Sequence, residues 1–169
     1  GDQTHQSFNN TLAEEAVLKW MDLGGRAIDG AFMYCTQPGI GAALKKTTVP
    51  REEIILTTKV PTWYMGYNET MFSFKESLQF LGTDYVDLYV IHWPSEFPDR
   101  WPQHWCGPDD IQREQTEPPC KQGKADWKDC RMGTWKAMVE LKKAGKIKQR
   151  VVCDERGVFS FGPVPGGLY

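Results

Sequence analysis

The fold is decided by one stretch of the sequence, residues 83–94, which reads Thr-Asp-Tyr-Val-Asp-Leu-Tyr-Val-Ile-His-Trp-Pro. Its middle is rich in β-branched and aromatic residues and almost continuously apolar, which is typical of a strand buried on both faces in a parallel sheet. Pro94 cannot donate a hydrogen bond to a neighbouring strand, so we expect the strand to end before it, at Ile91. His92 then lies at the carboxyl end of a buried strand, where α/β folds place their chemistry. A core histidine with satisfied hydrogen bonds is the alternative.

Strands and helices alternate on both sides of this stretch. Three more segments have the composition of strands, and segments with apolar residues at helical spacing separate them. The predicted strands cover residues 26–29, 54–60 and 147–153, and the predicted helices cover residues 11–23, 38–46, 68–81 and 131–144. Thr11, in a capping box, and Asn68 are suited to start two of these helices. A single helix between successive strands indicates right-handed crossovers and a parallel sheet.

This alternation leaves two architectures open. One is a flavodoxin-like, doubly wound sheet, and the other is part of a (β/α)₈ barrel. Neither the glycine-rich Rossmann motif nor the P-loop motif occurs in the sequence, which weakens a doubly wound nucleotide-binding fold.

Composition and charge exclude several classes of function. The 169 residues suffice for one domain with a hydrophobic core, and the net charge of −2 comes from interspersed charges of both signs, so we expect no nucleic-acid partner. No apolar run reaches membrane-spanning length and the start does not resemble a secretory signal, so we expect no membrane association. The five cysteines are an odd number without close paired spacing, which favours reduced thiols and a cytoplasmic location.

Four side chains capable of acid–base chemistry fall at or after the ends of predicted strands. Asp29, Lys59 and His92 mark three strand ends, and Tyr34 lies in the loop five residues after Asp29. The carboxyl ends of parallel strands open onto one face, so these side chains should lie together. Taken singly, each residue is more often structural, and only the cluster indicates a functional site.

The chemistry that this cluster supports is definite. A nearby ammonium stabilises a tyrosine phenolate and lowers a pKa that is otherwise about 10, and a carboxylate holds the ammonium in place. A histidine can orient a substrate oxygen. Together these groups can protonate an oxygen that gains negative charge, as carbonyl reduction requires, while a nicotinamide cofactor supplies the hydride.

At these positions the sequence resembles the aldo-keto reductase family. The similar segments include the family's strand and loop with its catalytic Asp and Tyr, its lysine strand and its histidine strand, of which the last is the most specific. In chain order, the segments are residues 25–34, 49–60, 77–94, 134–138 and 145–147. The resemblance implies an incomplete (β/α)₈ TIM barrel of the α/β class over residues 11–153, followed by an irregular tail at 154–169.

The resemblance also implies a role for each residue of the cluster. Tyr34 would be the general acid in the reduction of an aldehyde or ketone to an alcohol, and Lys59 would stabilise its negative charge. Asp29 would pair with Lys59 and contact the cofactor, which would be NADPH or less often NADH. His92 would orient the carbonyl group, and His92 and Trp93 would contact the small-molecule substrate.

The sequence departs from the family pattern in two places. Thr36-Gln37 stand where the family usually has Asn-Glu, and residues 150–156 lack a Ser-Asn pair that in the family helps to hold the nicotinamide. A closed barrel also needs about 200 residues or more. We therefore expect unpaired barrel edges through which the chain self-associates, and little turnover by the chain in isolation.

Two further hypotheses compete with a reductase. The first is a non-catalytic half-barrel that serves as a binding or regulatory scaffold, and NADPH binding distinguishes it from an enzyme. The second is a metal site formed by His104, Cys106, Cys120 and Cys130. These residues lack the close Cys-x-x-Cys spacing that is typical of zinc sites, so we predict no metal.

Overall fold

The computed structural model describes residues 9–93 and 127–150, together with two short strands at 152–153 and 159–160. Within these residues, helices and parallel strands alternate along the chain. The helices are α1 Asn10–Asp22, α2 Gln37–Lys46, α3 Tyr67–Leu81 and α4 Trp127–Lys143. The parallel strands are β1 Ala27–Asp29, β2 Ile55–Val60, β3 Val86–Ile91 and β4 Ile147–Arg150. A separate antiparallel pair consists of β5 Val152–Cys153 and β6 Phe159–Ser160.

The order of the strands distinguishes the two architectures that the sequence leaves open. β1, β2, β3 and β4 lie side by side in chain order, and all three pairings are parallel. Each helix contacts the next one along the chain, so the four helices form one layer. A doubly wound sheet instead reverses its strand order at a switch point and carries helices on both faces. The described part of the chain therefore winds in one direction, as a (β/α)₈ barrel does, and the predicted α/β fold is confirmed.

One hydrophobic core lies between the sheet and the helix layer. Tyr89 on β3 and Phe74 on α3 are its largest fully buried side chains, and their rings meet edge to face with centroids 4.8 Å apart. Leu56 on β2 and Met138 on α4 are buried in the same cluster. Burial of an apolar side chain of this size contributes about 1.5–3 kcal/mol, so packing holds the helices on the sheet. None of the described helices combines the length and the apolar content that crossing a membrane requires.

Helix α2 approaches both of its neighbours through glycine. A Cβ atom on Gly39 would lie 2.3 Å from the carbonyl oxygen of Asn10, and one on Gly41 would lie 2.2 Å from that of Phe80. Such distances are too short for a side chain, so α2 can lie between α1 and α3 only because these positions are glycine. The position of α2 affects the candidate site, because the loop after β1 leads directly into this helix.

Arg51 and Asp87 join the amino ends of β2 and β3. Arg51 Nη2 lies 2.9 Å from Asp87 Oδ2, and the same guanidinium donates to the carbonyl oxygens of Ile54 and Tyr85. Asp87 Oδ2 also accepts the backbone N–H of Leu56 at 3.0 Å. Both charged side chains are mostly buried, so water screens this pair less than a surface ion pair. The pair fixes the register of two strands at the end of the sheet opposite to their carboxyl ends.

Replacing Asp87 with Ala is expected to lower the free energy of unfolding by about 2–3 kcal/mol. The substitution leaves the Arg51 guanidinium without its carboxylate and the Leu56 N–H without its acceptor. Urea denaturation of both chains measures the difference. Asp84→Ala is the matched control: Asp84 is exposed, so its loss should change the free energy by less than about 0.5 kcal/mol. Equal effects of the two substitutions would contradict this account of the amino end.

Helix α1 begins earlier than the sequence predicts. Asn9 caps it by accepting a first-turn backbone N–H at 3.1 Å, so the capping box predicted at Thr11 is not used. Trp20 lies near the end of this helix and is 50% exposed. Its indole Nε1 donates to the carbonyl oxygen of Ala27 at 3.0 Å, and its ring lies against Gly25. The indole thus bonds to the backbone of β1 instead of entering the core, which helical spacing alone does not reveal.

Helices α3 and α4 also begin earlier than predicted. The cap of α3 is Gly66, with a φ of 113°, and not Asn68. Thr134 Oγ1, on α4, accepts the backbone N–H of Gly66 at 2.8 Å. α4 begins at Trp127 and not at residue 131. The start of α3 is thus fixed by a contact with α4, a helix that is distant in the sequence. Residue types near the start of a helix do not indicate such a contact.

The predicted strand at residues 147–153 is divided in the structure. β4 ends at Arg150, and β5 pairs with β6 outside the parallel sheet. β6 falls within the segment 154–169 that the sequence predicts to be irregular, and most of that segment lies outside the described residues.

Two of the cysteines are oxidised in the structure. Cys35 and Cys130 are both disulfide-bonded, so the expectation of reduced thiols is wrong for these two residues. The prediction was based on the odd number of cysteines and their wide spacing, and neither reveals which sulfur atoms the fold brings together.

Candidate active site

The carboxyl ends of the strands bring together all four side chains of the predicted cluster. Asp29 ends β1, Lys59 lies near the end of β2, His92 directly follows β3, and Tyr34 ends a 3₁₀ turn after β1. Lys59 Nζ donates to Asp29 Oδ1 at 2.7 Å and lies 4.9 Å from the centroid of the Tyr34 ring. Tyr34 Oη lies 3.4 Å from His92 Nε2. The four side chains form one continuous series of contacts.

Strand register explains why these side chains meet. Asp29 pairs with Thr57, and Lys59 lies two residues further along β2, so it points to the same face of the sheet as Thr57. On the other side of β2, Lys59 pairs with Val90, and His92 lies two residues beyond Val90. The alternation of side chains along a strand therefore directs the carboxylate, the ammonium and the imidazole to one face.

The loop that carries Tyr34 is short and tightly turned. The backbone N–H of Tyr34 donates to the carbonyl oxygen of Ala31 at 3.1 Å. Cys35 has a φ of 55°, a left-handed conformation that is uncommon for residues other than glycine. Helix α2 begins two residues later. Tyr34 remains 40% exposed, so solvent and a ligand can reach its hydroxyl group.

The Asp29–Lys59 ion pair is asymmetric in its exposure. The Lys59 side chain is 13% exposed, whereas that of Asp29 is 68% exposed. Lys59 Nζ also donates to the carbonyl oxygen of Gly30 at 3.0 Å, so two of its three N–H groups are engaged. The ammonium is therefore fixed beside the Tyr34 ring, while the carboxylate stays accessible to a ligand.

The surroundings of His92 favour a neutral imidazole. Burial lowers the pKa of His92, the Lys59 ammonium lowers it further, and the Asp29 carboxylate opposes both effects. The ring is consequently uncharged at pH 7. Its Nδ1 atom is buried and makes no hydrogen bond to any residue that the structure describes.

Trp93 extends the site towards solvent. Its ring stacks on the imidazole of His92, with centroids 6.2 Å apart and an interplanar angle of 16°. Half of Trp93 is exposed. A flat apolar ring beside the Tyr34–His92 pair is suited to contact a small organic ligand. Its role in substrate binding stays a prediction.

Two buried polar residues that lie close in sequence to predicted site residues are not predicted from the sequence. Gln37, which replaces the usual Glu of the family pattern, is almost completely buried and donates to the hydroxyl groups of Thr58 and Ser77. Thr62 lies in the 3₁₀ turn after β2, and its Oγ1 atom is buried without a hydrogen-bond partner among residues 9–93 and 127–150. The only sequence signal that points to Gln37 and Thr62 is that they lie close in sequence to Tyr34 and Lys59.

The hypothesis of a metal site falls mainly on residues that the structure does not describe. His104, Cys106 and Cys120 lie outside the described residues, and Cys130 is disulfide-bonded. In the part of the chain that is described, no group of three or more His, Cys, Asp or Glu side chains is arranged to hold a metal ion.

Comparison with known sequences places this arrangement in a family. A sequence model of the aldo/keto reductase family matches residues 1–156. The chain belongs to the aldo/keto reductase family. A curated relative, the glyoxal reductase of Bacillus subtilis, is 34% identical over 140 residues, which are 83% of this chain and 39% of that enzyme. The glycerol 2-dehydrogenase (NADP(+)) of Saccharomyces cerevisiae is 37% identical over 150 residues, which are 86% of this chain and 44% of that enzyme.

Solved aldo/keto reductases share the fold. The crystal structure of an aldo/keto reductase from Brucella melitensis superposes with a TM-score of 0.65 at 34% sequence identity, covering 85% of this chain and 44% of that one. An aldo-keto reductase of Bombyx mori in complex with NADP superposes with a TM-score of 0.63 at 25% identity, covering 88% of this chain and 42% of that one. This aldo/keto reductase chain thus spans less than half the length of these relatives and corresponds to part of their barrel.

Proposed function

We propose that this aldo/keto reductase chain reduces an aldehyde or ketone to an alcohol, with a proton from Tyr34 and hydride from NADPH, or less often NADH. The observation that carries the proposal is the contact series from Asp29 through Lys59 and Tyr34 to His92 at one end of the sheet. The names of two relatives, a glyoxal reductase and a glycerol 2-dehydrogenase, support chemistry between carbonyl compounds and alcohols.

Tyr34 is the proton donor in this proposal. The carbonyl oxygen gains negative charge during reduction, and a donor within hydrogen-bond reach lowers the barrier. The accessible hydroxyl group of Tyr34 can reach such an oxygen. The Lys59 ammonium, 4.9 Å from the centroid of the ring, stabilises the negative charge that stays on the phenol oxygen once the proton has left. Asp29 holds that ammonium in place.

His92 orients the carbonyl group. A neutral imidazole carries one N–H, and in this proposal that proton is on Nε2, which lies 3.4 Å from the Tyr34 hydroxyl group, where the substrate oxygen would lie. The buried Nδ1 is then the unprotonated nitrogen. Because the ring is uncharged at pH 7, it adds no second positive charge that would repel the Lys59 ammonium. Trp93 would contact the remainder of the substrate.

The described residues fit the reacting end of a nicotinamide cofactor, which when bound supplies the hydride. The exposed carboxylate of Asp29 has room to accept a hydrogen bond from a cofactor hydroxyl or amide group while it retains Lys59. NADPH is favoured because the Bombyx mori structure contains NADP and the yeast relative is named for NADP(+). The proposal involves a small-molecule substrate and no nucleic-acid or membrane partner.

The proposal predicts that the purified chain binds NADPH. A fluorescence titration should be saturable with a Kd in the micromolar range, and the reduced nicotinamide should be oxidised, at the low rate expected of the chain in isolation, when a reactive aldehyde is added. Asp29→Leu should weaken NADPH binding, since it removes the exposed carboxylate. Asp84→Leu, which changes an exposed carboxylate outside the contact series, should leave the Kd unchanged.

An absence of binding at millimolar NADPH would contradict the proposal and favour the non-catalytic scaffold. Light scattering on the same samples also tests the predicted self-association. Within the described residues, β1 and β4 of the parallel sheet each pair on one side only, so both edges offer backbone groups to a second copy.

A further inference from the structure

A buried amide links the segment after Tyr34 to the strand that carries Lys59. Gln37 lies in the first turn of α2 and is 2% exposed. Its Nε2 atom donates to Thr58 Oγ1 at 2.7 Å and to Ser77 Oγ at 3.2 Å. Both hydroxyl groups belong to fully buried residues, one on β2 and one on α3. One amide therefore joins three elements of the fold.

Both ends of the bond between Gln37 and Thr58 lie close in sequence to residues of the candidate site. Gln37 follows Tyr34 by three residues, and Thr58 immediately precedes Lys59. At its start the Tyr34 loop contacts β2 through Gly30, whose backbone N–H donates to the carbonyl oxygen of Thr57 at 3.0 Å, whereas the backbone N–H groups of Tyr34 and Cys35 bond locally, to Ala31 and Phe32. Three residues after Tyr34, the Gln37 side chain adds a bond to that strand.

The Gln37 amide acts as the donor in both contacts of the link. Both contacts use the two N–H groups of one nitrogen, so both hydroxyl oxygens act as acceptors. A carboxylate has no donor, so in its place both hydroxyl groups would have to donate. Because the site is buried, loss of a partner leaves an unsatisfied polar group, and the native arrangement is strongly preferred over neighbouring ones.

We propose that Gln37 is a positioning residue that sets the distance between the Tyr34 ring and the Lys59 ammonium by bonding to Thr58. Thr58 and Lys59 are adjacent on one strand and point to opposite faces, so a shift of Thr58 towards or away from α2 moves the ammonium relative to the ring. The inference rests on the proposed function, in which that distance determines how well the charge on the phenol oxygen is stabilised.

Three substitutions distinguish an effect of Gln37 on the position of Lys59 from an effect on the stability of the fold. Gln37→Leu removes both contacts, Thr58→Val removes the contact to the lysine strand, and Ser77→Ala removes the contact to α3. All three disturb the same buried network and should lower thermal stability. Gln37→Leu and Thr58→Val should reduce kcat by about 10- to 100-fold with little change in the KM for the aldehyde, because the chemical groups remain but are misplaced. Ser77→Ala should stay within about twofold of the unchanged chain.

Thr58→Ser is the conservative rescue. It keeps the hydroxyl group that accepts from Gln37 and removes only a methyl group. We expect its kcat to match that of the unchanged chain even though the loss of the methyl group lowers stability. A loss of kcat in this variant as large as that in Thr58→Val would overturn the proposal.

A second readout needs neither cofactor nor turnover. The Lys59 ammonium contributes to the lowered pKa of His92, so displacing Lys59 should bring that pKa closer to the ordinary histidine value. NMR titration of the imidazole, assigned by comparison with His92→Gln, should show this change in Gln37→Leu and Thr58→Val but not in Ser77→Ala.

The outcomes also distinguish this proposal from the proposed function. If the unchanged chain neither binds NADPH nor turns over, the proposed function fails, and the His92 titration still decides whether Gln37 positions Lys59. If the unchanged chain turns over but Thr58→Val and Ser77→Ala behave alike in kcat and in the His92 titration, Gln37 has only a structural role and the positioning proposal is overturned.

Discussion

Tyr34→Phe is expected to lower kcat for aldehyde reduction by about 10³-fold, which is within the range for loss of a general acid. The substitution removes the hydroxyl group that contacts His92 Nε2 and leaves the ring beside Lys59. Tyr34 is 40% exposed, so its hydroxyl group is accessible to water and its loss should change the melting temperature little. NADPH-dependent aldehyde reduction, followed under saturating cofactor, measures the loss.

Tyr85→Phe provides the matched control. It removes the same hydroxyl group from a tyrosine at the amino end of β3, where the ring lies between Arg51 and Lys148. This variant should keep the kcat of the unchanged chain. If Tyr34→Phe retains more than about a tenth of that kcat, another group donates the proton, and His92 is the first candidate because its ring lies next to the phenol.

Lys59→Met is expected to lower kcat by about 10²-fold or more, because it removes the ammonium that lies beside the Tyr34 ring. Asp29 loses its counter-ion, but its side chain is mostly exposed and water can solvate the carboxylate, so the free energy of unfolding should change by about 1 kcal/mol or less from this cause. The pKa of His92 should rise, since the ammonium is one of the groups that lower it. Kinetics, urea denaturation and NMR titration test the three expectations.

Lys46→Met is the control for this substitution. Lys46 is also ion-paired, to Glu14, but it lies in the last turn of α2. Its replacement should leave both kcat and the His92 titration unchanged. A similar loss of kcat in the two variants would show that removal of a paired lysine acts through the fold and not through the contact with Tyr34.

The candidate site was largely predictable from the sequence because it depends on strand ends. Apolar runs locate β2 and β3 to within one or two residues, and side-chain alternation brings Asp29, Lys59 and His92 to one face wherever the sheet is parallel. Tyr34 follows because it lies only five residues beyond Asp29. Strand ends, side-chain alternation and the spacing between Asp29 and Tyr34 can be recognised in short segments of sequence, without knowing how the helices pack on the sheet.

The features that the sequence did not predict depend on contacts between distant segments. Gln37 bonds to residues 21 and 40 positions away, so the sequence shows only a replaced carboxylate and not the network that uses the amide. Trp20 bonds to the backbone of the next strand, and Gly66 is tied to α4. The disulfide bonds of Cys35 and Cys130 belong to the same class, because spacing along the chain says nothing about proximity in space.

The order of the strands also has a consequence for how the chain is made. After β1, each strand of the parallel sheet pairs with the one synthesised just before it, so the partners of β2, β3 and β4 have already been made when these strands form. As translation proceeds from the amino terminus, every new helix and strand can dock on a surface that has already left the exit tunnel. The nascent sheet then grows at one edge only, the edge at which the next strand of the chain pairs.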